Sequence, residues 1–248
     1  MYVLLPPSET KAPGGDGPPL EPAALGFPAL NPLRTELIDR LIELCTDPAR
    51  ARPALKVSVR QDAEIEATAK LRTDPTRPAL QRYAGVLYDQ LDVAGLPPAG
   101  RARAADRLLI ASALFGLVRG GDPIPAYRFS AGSRLPGRGP VAATWRPALT
   151  PVLAGLDGLV VDLRSGAYAA FAPAPGSVAV RVLSEAVPGD PTTRSVVSHF
   201  SKAAKGRLAR ALVATRAAVD DVPALIRVAR RAGLRVERTG SHSIDLVT

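Results

Sequence analysis

The chain has 248 residues, of which 46% are hydrophobic and 22% charged, and its formal net charge is +9. This composition excludes a chain that is disordered throughout, and no uninterrupted apolar run reaches the roughly 20 residues of a membrane span. The single cysteine, Cys45, excludes an intrachain disulfide and favours a reducing compartment. Since the N-terminus carries no basic leader or signal-like apolar run, we expect a cytoplasmic protein without membrane contact.

The first part of the chain predicts a strand, a long loop and several helices. The apolar run Tyr2–Leu5 stops at two prolines, as a strand does where its ladder ends. Segment 11–30 is rich in Pro and Gly and predicts a surface loop. Leucines at helical spacing predict an amphipathic helix over 32–44, with Asn31 as its N-cap. The other helices expected in this part cover 62–71 and 101–109.

The second part alternates helices and strands. Residues 108–117 form a buried apolar stretch that ends at Gly116, before a turn-rich loop over 119–123. Strands are expected at 158–163, 177–183 and 194–199, and helices at 148–156, 167–171, 202–219 and 222–232. A hairpin over 234–238 and 244–247 closes the chain. This alternation predicts a mixed α/β fold, with a central sheet flanked by helices, in a single domain over 1–248.

The excess positive charge is concentrated in two segments. Residues 101–150 carry 8 Lys or Arg against 2 Asp or Glu, and residues 200–248 carry 10 against 4. If the two segments meet in the fold, they form a basic cleft that attracts phosphate polyanions; if not, they are solvated faces. The residues expected to bind DNA or phosphate there are Lys11, Arg119, Tyr127, Arg128, Lys202, Lys205, Arg207 and Arg210.

The spacing within the second basic segment supports this interpretation. Lys202 lies beside Lys205 on a helix, and Arg207 beside Arg210, because residues three apart are neighbours there. Gly206 costs such a helix about 1 kcal/mol relative to alanine, which favours a site where something approaches the backbone closely. Arginine can hold a phosphate through two parallel hydrogen bonds.

Other motifs carry less information. The S-x-x-K spacing from Ser8 to Lys11 matches that of penicillin-interacting serine enzymes, but no S-D-N or K-T-G partner follows. We expect a loop at a strand end, with Lys11 available to an anion. The possible soft ligands His199, His242 and Cys45 are too far apart in sequence to suggest a metal site, and no Walker loop occurs, so no cofactor is predicted.

Several segments match, in order along the chain, the pattern of one bacterial family. They are 3–11, 83–91, 112–119, Asp122, 125–128, Gly132, Leu135, 161–168 and 202–210. At these segments the sequence resembles the YaaA family, proteins associated with peroxide stress. It departs from that family at Gly166 and Ala167, where an acidic residue usually precedes the tyrosine, and in the extended loop after Lys11.

The resemblance implies a single α/β domain with a positively charged cleft. It also implies DNA binding aided by a helix-hairpin-helix-like element, and protection during hydrogen peroxide stress by limiting iron-linked damage. By position, that element falls within 46–71; the stretch 95–100 is a weaker candidate.

Two functions therefore stay open. The first is DNA binding without turnover, through backbone contacts with little sequence specificity, with Tyr127 or Trp145 offering a surface on which bases could stack. The second is an enzyme acting on a small phosphorylated or nucleotide-like anionic metabolite, with Ser8, Tyr127 or Asp122 supplying acid–base chemistry. A closed pocket of roughly 300–1,000 Å³ favours the metabolite, whereas an open groove favours the duplex.

Overall fold

The computed structural model describes residues 1–187, 189–196 and 201–248. Its strands, in chain order, are β1 (Tyr2–Leu5), β2 (Gly17–Pro19), β3 (Pro75–Pro78), β4 (Leu108–Ser112), β5 (Gly116–Arg119), β6 (Pro123–Ile124), β7 (Val160–Asp162), β8 (Val178–Glu185), β9 (Arg194–Val196), β10 (Arg235–Gly240) and β11 (Ser243–Val247). Short 3-10 helices lie at Pro22–Ala24, Pro28–Leu30, Val59–Gln61 and Pro191–Thr193.

The α-helices are α1 (Asn31–Cys45), α2 (Pro48–Leu55), α3 (Asp62–Ala69), α4 (Ala79–Arg82), α5 (Val86–Leu91), α6 (Pro98–Arg107), α7 (Val141–Ala154), α8 (Gly166–Ala169), α9 (Ser201–Ala214) and α10 (Val222–Arg231). Helices and strands interleave along the chain and build one mixed α/β domain, which confirms the predicted fold class.

The main sheet has eight strands in the order β10-β11-β8-β7-β1-β4-β5, with β9 also paired to β8. Strands β11, β8, β7, β1 and β4 run parallel, whereas β10, β5 and β9 pair antiparallel with their neighbours. Every residue of β4 is buried, as are Val3, Leu4 and Leu5 of β1. A parallel strand covered on both faces has no polar side, which explains these continuous apolar runs. A second, small sheet has the order β2-β3-β6.

The order of the parallel strands creates a crevice at one edge of the sheet. The chain passes from β1 to β4 on one side and later places β7 on the other side of β1. Connections that leave neighbouring strands in opposite directions open a gap outside their carboxyl ends, and ligands of open α/β sheets bind in such gaps. The loops after Leu5 and Asp162 therefore border the expected ligand crevice.

Two buried residues fix the hairpin between β4 and β5. The Arg34 side chain is fully buried and donates from Nε to the Phe115 carbonyl (2.9 Å) and from Nη2 to the Leu117 carbonyl (2.6 Å). Gly116 turns the chain with φ +72°, and a Cβ there would lie 2.6 Å from the Trp145 ring. The hairpin thus positions Ser112, which supports the site described below.

Several sequence predictions need correction. The helix predicted over 101–109 ends at Arg107, and the buried 108–117 stretch consists of β4 and the start of β5. Asn31 is not the N-cap of α1: the helix already includes it, and its side chain accepts a hydrogen bond from Arg34 instead. Segment 11–30 is more than a surface loop, since Leu20, Leu25 and Leu30 enter the core.

Element ends were also misplaced. Helix α7 starts at Val141, well before the predicted 148, and α9 ends at Ala214 rather than 219. The strand predicted over 194–199 is observed at Arg194–Val196, and residues 197–200 lie outside the described residues. The strand Tyr2–Leu5 and the closing hairpin of β10 and β11 are confirmed.

Candidate functional site

A cavity of about 1040 Å³ opens at the carboxyl ends of β1 and β7. Residues 6–11 after β1 and 164–168 after β7 form two of its walls. The start of α9, the segment 84–88 and the loop 128–132 complete it, with Leu55 and Lys56 at the end of α2. The cavity therefore lies where the strand order predicts a ligand crevice.

Cations are concentrated in the lining of this cavity. Of the five lysines in the sequence, Lys11, Lys56, Lys202 and Lys205 line it, and only Lys70 lies elsewhere. Arg128 and Arg164 are also part of the wall, while Glu9 is the single acidic residue among the described residues that form it.

Lys11 lies against two aromatic rings. Its Nζ is 4.3 Å from the centroid of the Tyr127 ring and 5.7 Å from that of Tyr83, and it donates to the Glu9 carbonyl at 3.1 Å. Burial, together with the positive charge of Arg128, lowers the pKa of Lys11 to about 7. A lysine in this setting is a mixture of ammonium and free amine at neutral pH.

Buried hydroxyl groups, linked by hydrogen bonds, support the loop 6–11 that carries Lys11. The hydroxyl groups of Tyr83 and Tyr127 are 2.7 Å apart, and the Tyr127 hydroxyl is 2.8 Å from Ser112 Oγ. Tyr88 donates to the Pro6 carbonyl at 2.8 Å, which fixes the start of the loop. Burial raises the pKa of each of these three tyrosines, so all three are neutral donors or acceptors at physiological pH.

The two arginines of the wall are held by carboxylates. Arg128 forms ion pairs with Glu9 (2.8 Å) and Glu64 (3.3 Å), and its Nε is buried without a hydrogen-bond partner. Arg164 pairs with Asp162 at 2.7 Å, so its guanidinium group is fixed to the end of β7. These ion pairs orient both guanidinium groups and partly neutralise them.

Helix α9 contributes Lys202 and Lys205. Lys202 is exposed, whereas Lys205 reaches across to β7 and donates to the carbonyls of Leu163 (3.0 Å) and Arg164 (3.3 Å). Burial lowers the pKa of Lys205. Gly206 lets α9 approach α5, because a Cβ at this position would lie 2.2 Å from the Leu87 carbonyl oxygen. The close approach expected at this glycine is therefore made by a helix of the same chain.

Other predicted site residues lie outside the cavity lining. Arg119 pairs with Asp106 at 2.7 Å and lies over the Phe27 ring. Asp122 is buried and accepts backbone N–H groups from Gly26 and Arg119, both at 2.9 Å, and burial raises its pKa. It therefore holds a turn together.

Helix α9 also carries two predicted residues away from the cavity. Arg207 is exposed. Arg210 donates to the carbonyls of Leu91, the last residue of α5, and of Asp92, which follows it. It thereby stabilises the loop that leads to residues 95–100, the weaker hairpin candidate.

Ser8 and the aromatic residues are not arranged for the roles considered from sequence. Ser8 Oγ donates to the Thr10 carbonyl at 2.6 Å and accepts the Ala84 N–H at 3.1 Å, as in a structural turn. Tyr127 is 4% exposed and Trp145 is fully buried, so neither offers a face to a nucleic-acid base. Trp145 instead donates its Nε1–H to the Ala113 carbonyl.

Sequence reasoning missed Lys56, Arg164 and Tyr168 in the lining. Lys56 follows α2 in the left-handed conformation, with φ 56° and ψ 49°, a geometry that glycine usually adopts. No glycine or asparagine at this position signals the turn in the sequence. The ending of a parallel strand at Asp162 is the signal that could have pointed to Arg164.

The whole-chain comparisons agree with the ordered segments noted in the sequence. A family model described as Peroxide stress protein YaaA matches residues 1–239. The chain belongs to the YaaA family of peroxide stress proteins. Among YaaA-family relatives, a UPF0246 protein of Corynebacterium efficiens is 47% identical over 96% of this chain and 95% of its own length.

A second UPF0246 protein, from Streptomyces coelicolor, is 46% identical over 96% of this chain and 92% of its own length. An uncharacterized protein of Campylobacter jejuni is 27% identical over 84% of this chain and 82% of its own.

The described part of the chain offers neither a membrane-spanning helix nor a clustered metal site. None of its helices combines the length and the apolar character that a bilayer span needs. Within residues 1–187, 189–196 and 201–248, no group of three or more His, Cys, Asp or Glu is placed to hold a metal ion. Cys45 is buried, and burial raises the pKa of its thiol to about 11.

Proposed function

We propose that this YaaA-family protein binds DNA during peroxide stress, through contacts between its lysine-lined cavity and the sugar-phosphate backbone. The observation that carries this proposal is the gathering of four of five lysines around one cavity at the β1/β7 crevice. Ammonium groups attract phosphates without reading base sequence, so affinity depends little on sequence and falls with salt.

The α2–α3 segment is our candidate for the helix-hairpin-helix-like element. It lies within 46–71, and the left-handed turn at Lys56 joins two short helices. Arg52 and Asp62 clamp these helices through two hydrogen bonds of 2.8 and 2.6 Å. Because Lys56 lines the cavity, the hairpin and the cavity form one continuous surface for a phosphate backbone.

Binding of this kind offers a physical route to protection from iron-linked damage. A protein that neutralises backbone phosphates releases the cations condensed on them. Iron ions held by those phosphates are released in the same exchange, so peroxide chemistry occurs farther from the DNA. This route requires no metal site in the protein.

One observation favours the second function, an enzyme for a small phosphorylated metabolite. The cavity volume of about 1040 Å³ is close to the upper end of the range for small-molecule sites, and its position matches such sites in open α/β sheets. Of the acid–base groups considered from sequence, Ser8 has both its contacts within the chain, Tyr127 is buried and Asp122 lies outside the cavity lining. Lys11, whose pKa is lowered to about 7, takes their place as the reactive group of this second function.

The test replaces both α9 lysines of the cavity, Lys202 and Lys205, by alanine. The matched control is Arg227→Ala with Arg231→Ala, which removes the same charge from exposed positions of α10. We expect two duplexes of unrelated sequence to bind the wild type equally well and the cavity variant more weakly, with the control unchanged. Equal losses in both variants would show a general charge effect and contradict the proposal.

A further inference from the structure

We infer that the ε-amine of Lys11 is a nucleophile that forms an imine with the carbonyl carbon of a phosphorylated sugar held in this cavity. The inference rests on the proposed function, because the same lysines and arginines would hold the phosphate. It adds a covalent step and names the chemical class of the ligand: a sugar aldehyde with a neighbouring phosphate.

The position of Lys11 favours this role over that of a further phosphate clamp. In the described part of the chain, its Nζ makes one hydrogen bond, to the Glu9 carbonyl, and forms no ion pair. The rings of Tyr83 and Tyr127 lie against the amine, and Lys11 is part of the cavity wall. A nucleophile needs this combination of a fixed position and a place at a ligand cavity.

The charges around Lys11 favour the free amine. Arg128 repels a second positive charge, and burial disfavours the ammonium form, while the carboxylates of Glu9 and Glu64 act in the opposite direction. The balance gives a pKa of about 7, so about half of the amine is unprotonated near neutral pH. Tyr83 and Tyr127, whose hydroxyls bond to each other, stay uncharged and leave this balance unchanged across that pH range.

The other lysines of the cavity suit phosphate binding instead. Two of the three ammonium N–H groups of Lys205 donate to backbone carbonyls, which fixes its position and leaves one for a phosphate, while Lys202 is exposed and Lys56 follows α2 in the left-handed turn. The cavity thus combines a reactive amine with cations around it. A sugar phosphate carries the two matching groups, an electrophilic carbonyl carbon and a dianion.

The proposed step needs no oxidant or metal. The lone pair of the neutral Lys11 amine attacks the carbonyl carbon and a C–N bond forms; the nitrogen gives up one proton as the carbonyl oxygen takes one up, which gives a neutral carbinolamine. The hydroxyl group of this intermediate takes up a second proton and leaves as water while the nitrogen lone pair forms the C=N bond, and loss of the remaining N–H proton balances that uptake. Amine and aldehyde thereby give imine and water.

The test traps the imine with sodium borohydride, which reduces it to a stable secondary amine, and maps the modified residue by peptide mass spectrometry. Two probes supply the same chemistry from different sources: free ribose 5-phosphate, and a DNA duplex with one abasic site. The wild type is compared with Lys11→Arg, which places a permanent positive charge at this position and removes the nucleophile. Lys70→Arg, at the lysine outside the cavity, is the matched control.

We expect an adduct on Lys11 with at least one probe, a loss of about tenfold or more in Lys11→Arg, and no loss in Lys70→Arg. The adduct yield should rise as the pH increases through about 7. The probe that reacts identifies the source of the sugar phosphate.

No adduct with either probe, or adducts spread over the exposed lysines, would overturn the inference. Mapping the wild type gives this result even if Lys11→Arg does not fold. Binding of an undamaged duplex is measured in parallel: retained binding without an adduct rejects only the Lys11 inference, whereas absent binding rejects the proposed function.

Discussion

The contact between α5 and α9 positions Lys202 and Lys205, and Gly206→Ala tests it. The new Cβ would lie 2.2 Å from the Leu87 carbonyl oxygen and 2.9 Å from Gln90 Cβ. To reach ordinary contact distances, the helices must separate by about 1 Å. Overpacking of this kind costs about 1–3 kcal/mol, and alanine returns at most about 1 kcal/mol in helix propensity. We expect a net loss of about 1–2 kcal/mol in the free energy of unfolding.

The assay is urea unfolding followed by circular dichroism, with Gly100→Ala as the matched control. Gly100 is also buried in a helix, but a Cβ there would meet its closest neighbour, Leu96 Cβ, at 3.4 Å. That variant should therefore be as stable as the wild type or gain up to about 1 kcal/mol. For a chain of this length the Gly206→Ala loss corresponds to a decrease of about 2–8 °C in Tm. If Gly206→Ala unfolds at the same urea concentration as the wild type or a higher one, our description of this interface is wrong.

Three further predictions concern stability. Arg235 lowers the pKa of Glu185 to about 2, so this carboxylate stabilises the fold above its ordinary pKa of about 4.5 and loses that effect as the pH falls towards 2. Glu185→Gln should therefore flatten the plot of unfolding free energy against pH between about pH 5 and about pH 3. A plot with the same slope as that of the wild type would contradict this. Arg34→Met leaves the Phe115 and Leu117 carbonyls without their donor and should cost about 3 kcal/mol in chemical unfolding, against less than about 0.5 kcal/mol for the exposed Arg227→Met. Gly116→Ala must adopt φ +72° and meet the Trp145 ring at 2.6 Å, so its Tm should fall by more than that of Gly206→Ala; a smaller decrease would contradict the geometry.

The parts of the fold that the sequence predicts well are those with a regular pattern. Tyr2–Leu5 forms a strand because its apolar run is bounded by prolines, and the leucines of α1 and the alternation in β11 mark their elements in the same way. The 108–117 stretch is buried as expected, but its two strands could not be predicted because a strand buried on both faces has no alternation, and the reversal depends on the positive φ of Gly116. The predicted start of α7 at 148 is seven residues too late, because a proline is disfavoured inside a helix and Pro147 nevertheless lies within this one.

The sequence predicts which basic residues are candidates for the cavity, but not which of them the fold pairs elsewhere. Lys11, Arg128, Lys202 and Lys205 line one cavity, although they come from distant parts of the chain. Arg119 resembles them in sequence, but Asp106 pairs with it elsewhere, and no spacing rule indicates that partner.

The contribution of Lys56 could not be read from sequence either. Its place in the wall depends on a left-handed turn occupied by a residue other than glycine. Charge content predicted that cations would gather, and strand order determined which of them line the same cavity.

The salt dependence of duplex binding tests the central claim most directly. Affinity is measured over a range of sodium chloride concentrations for the wild type, for Lys202→Ala with Lys205→Ala, and for the α10 arginine control. Each phosphate contact contributes about 0.9 to the slope of log affinity against log salt, so the cavity variant should have a slope shallower by up to about 1.8, with the control parallel to the wild type. A cavity variant whose slope equals that of the wild type would show that these lysines do not contact the phosphate backbone.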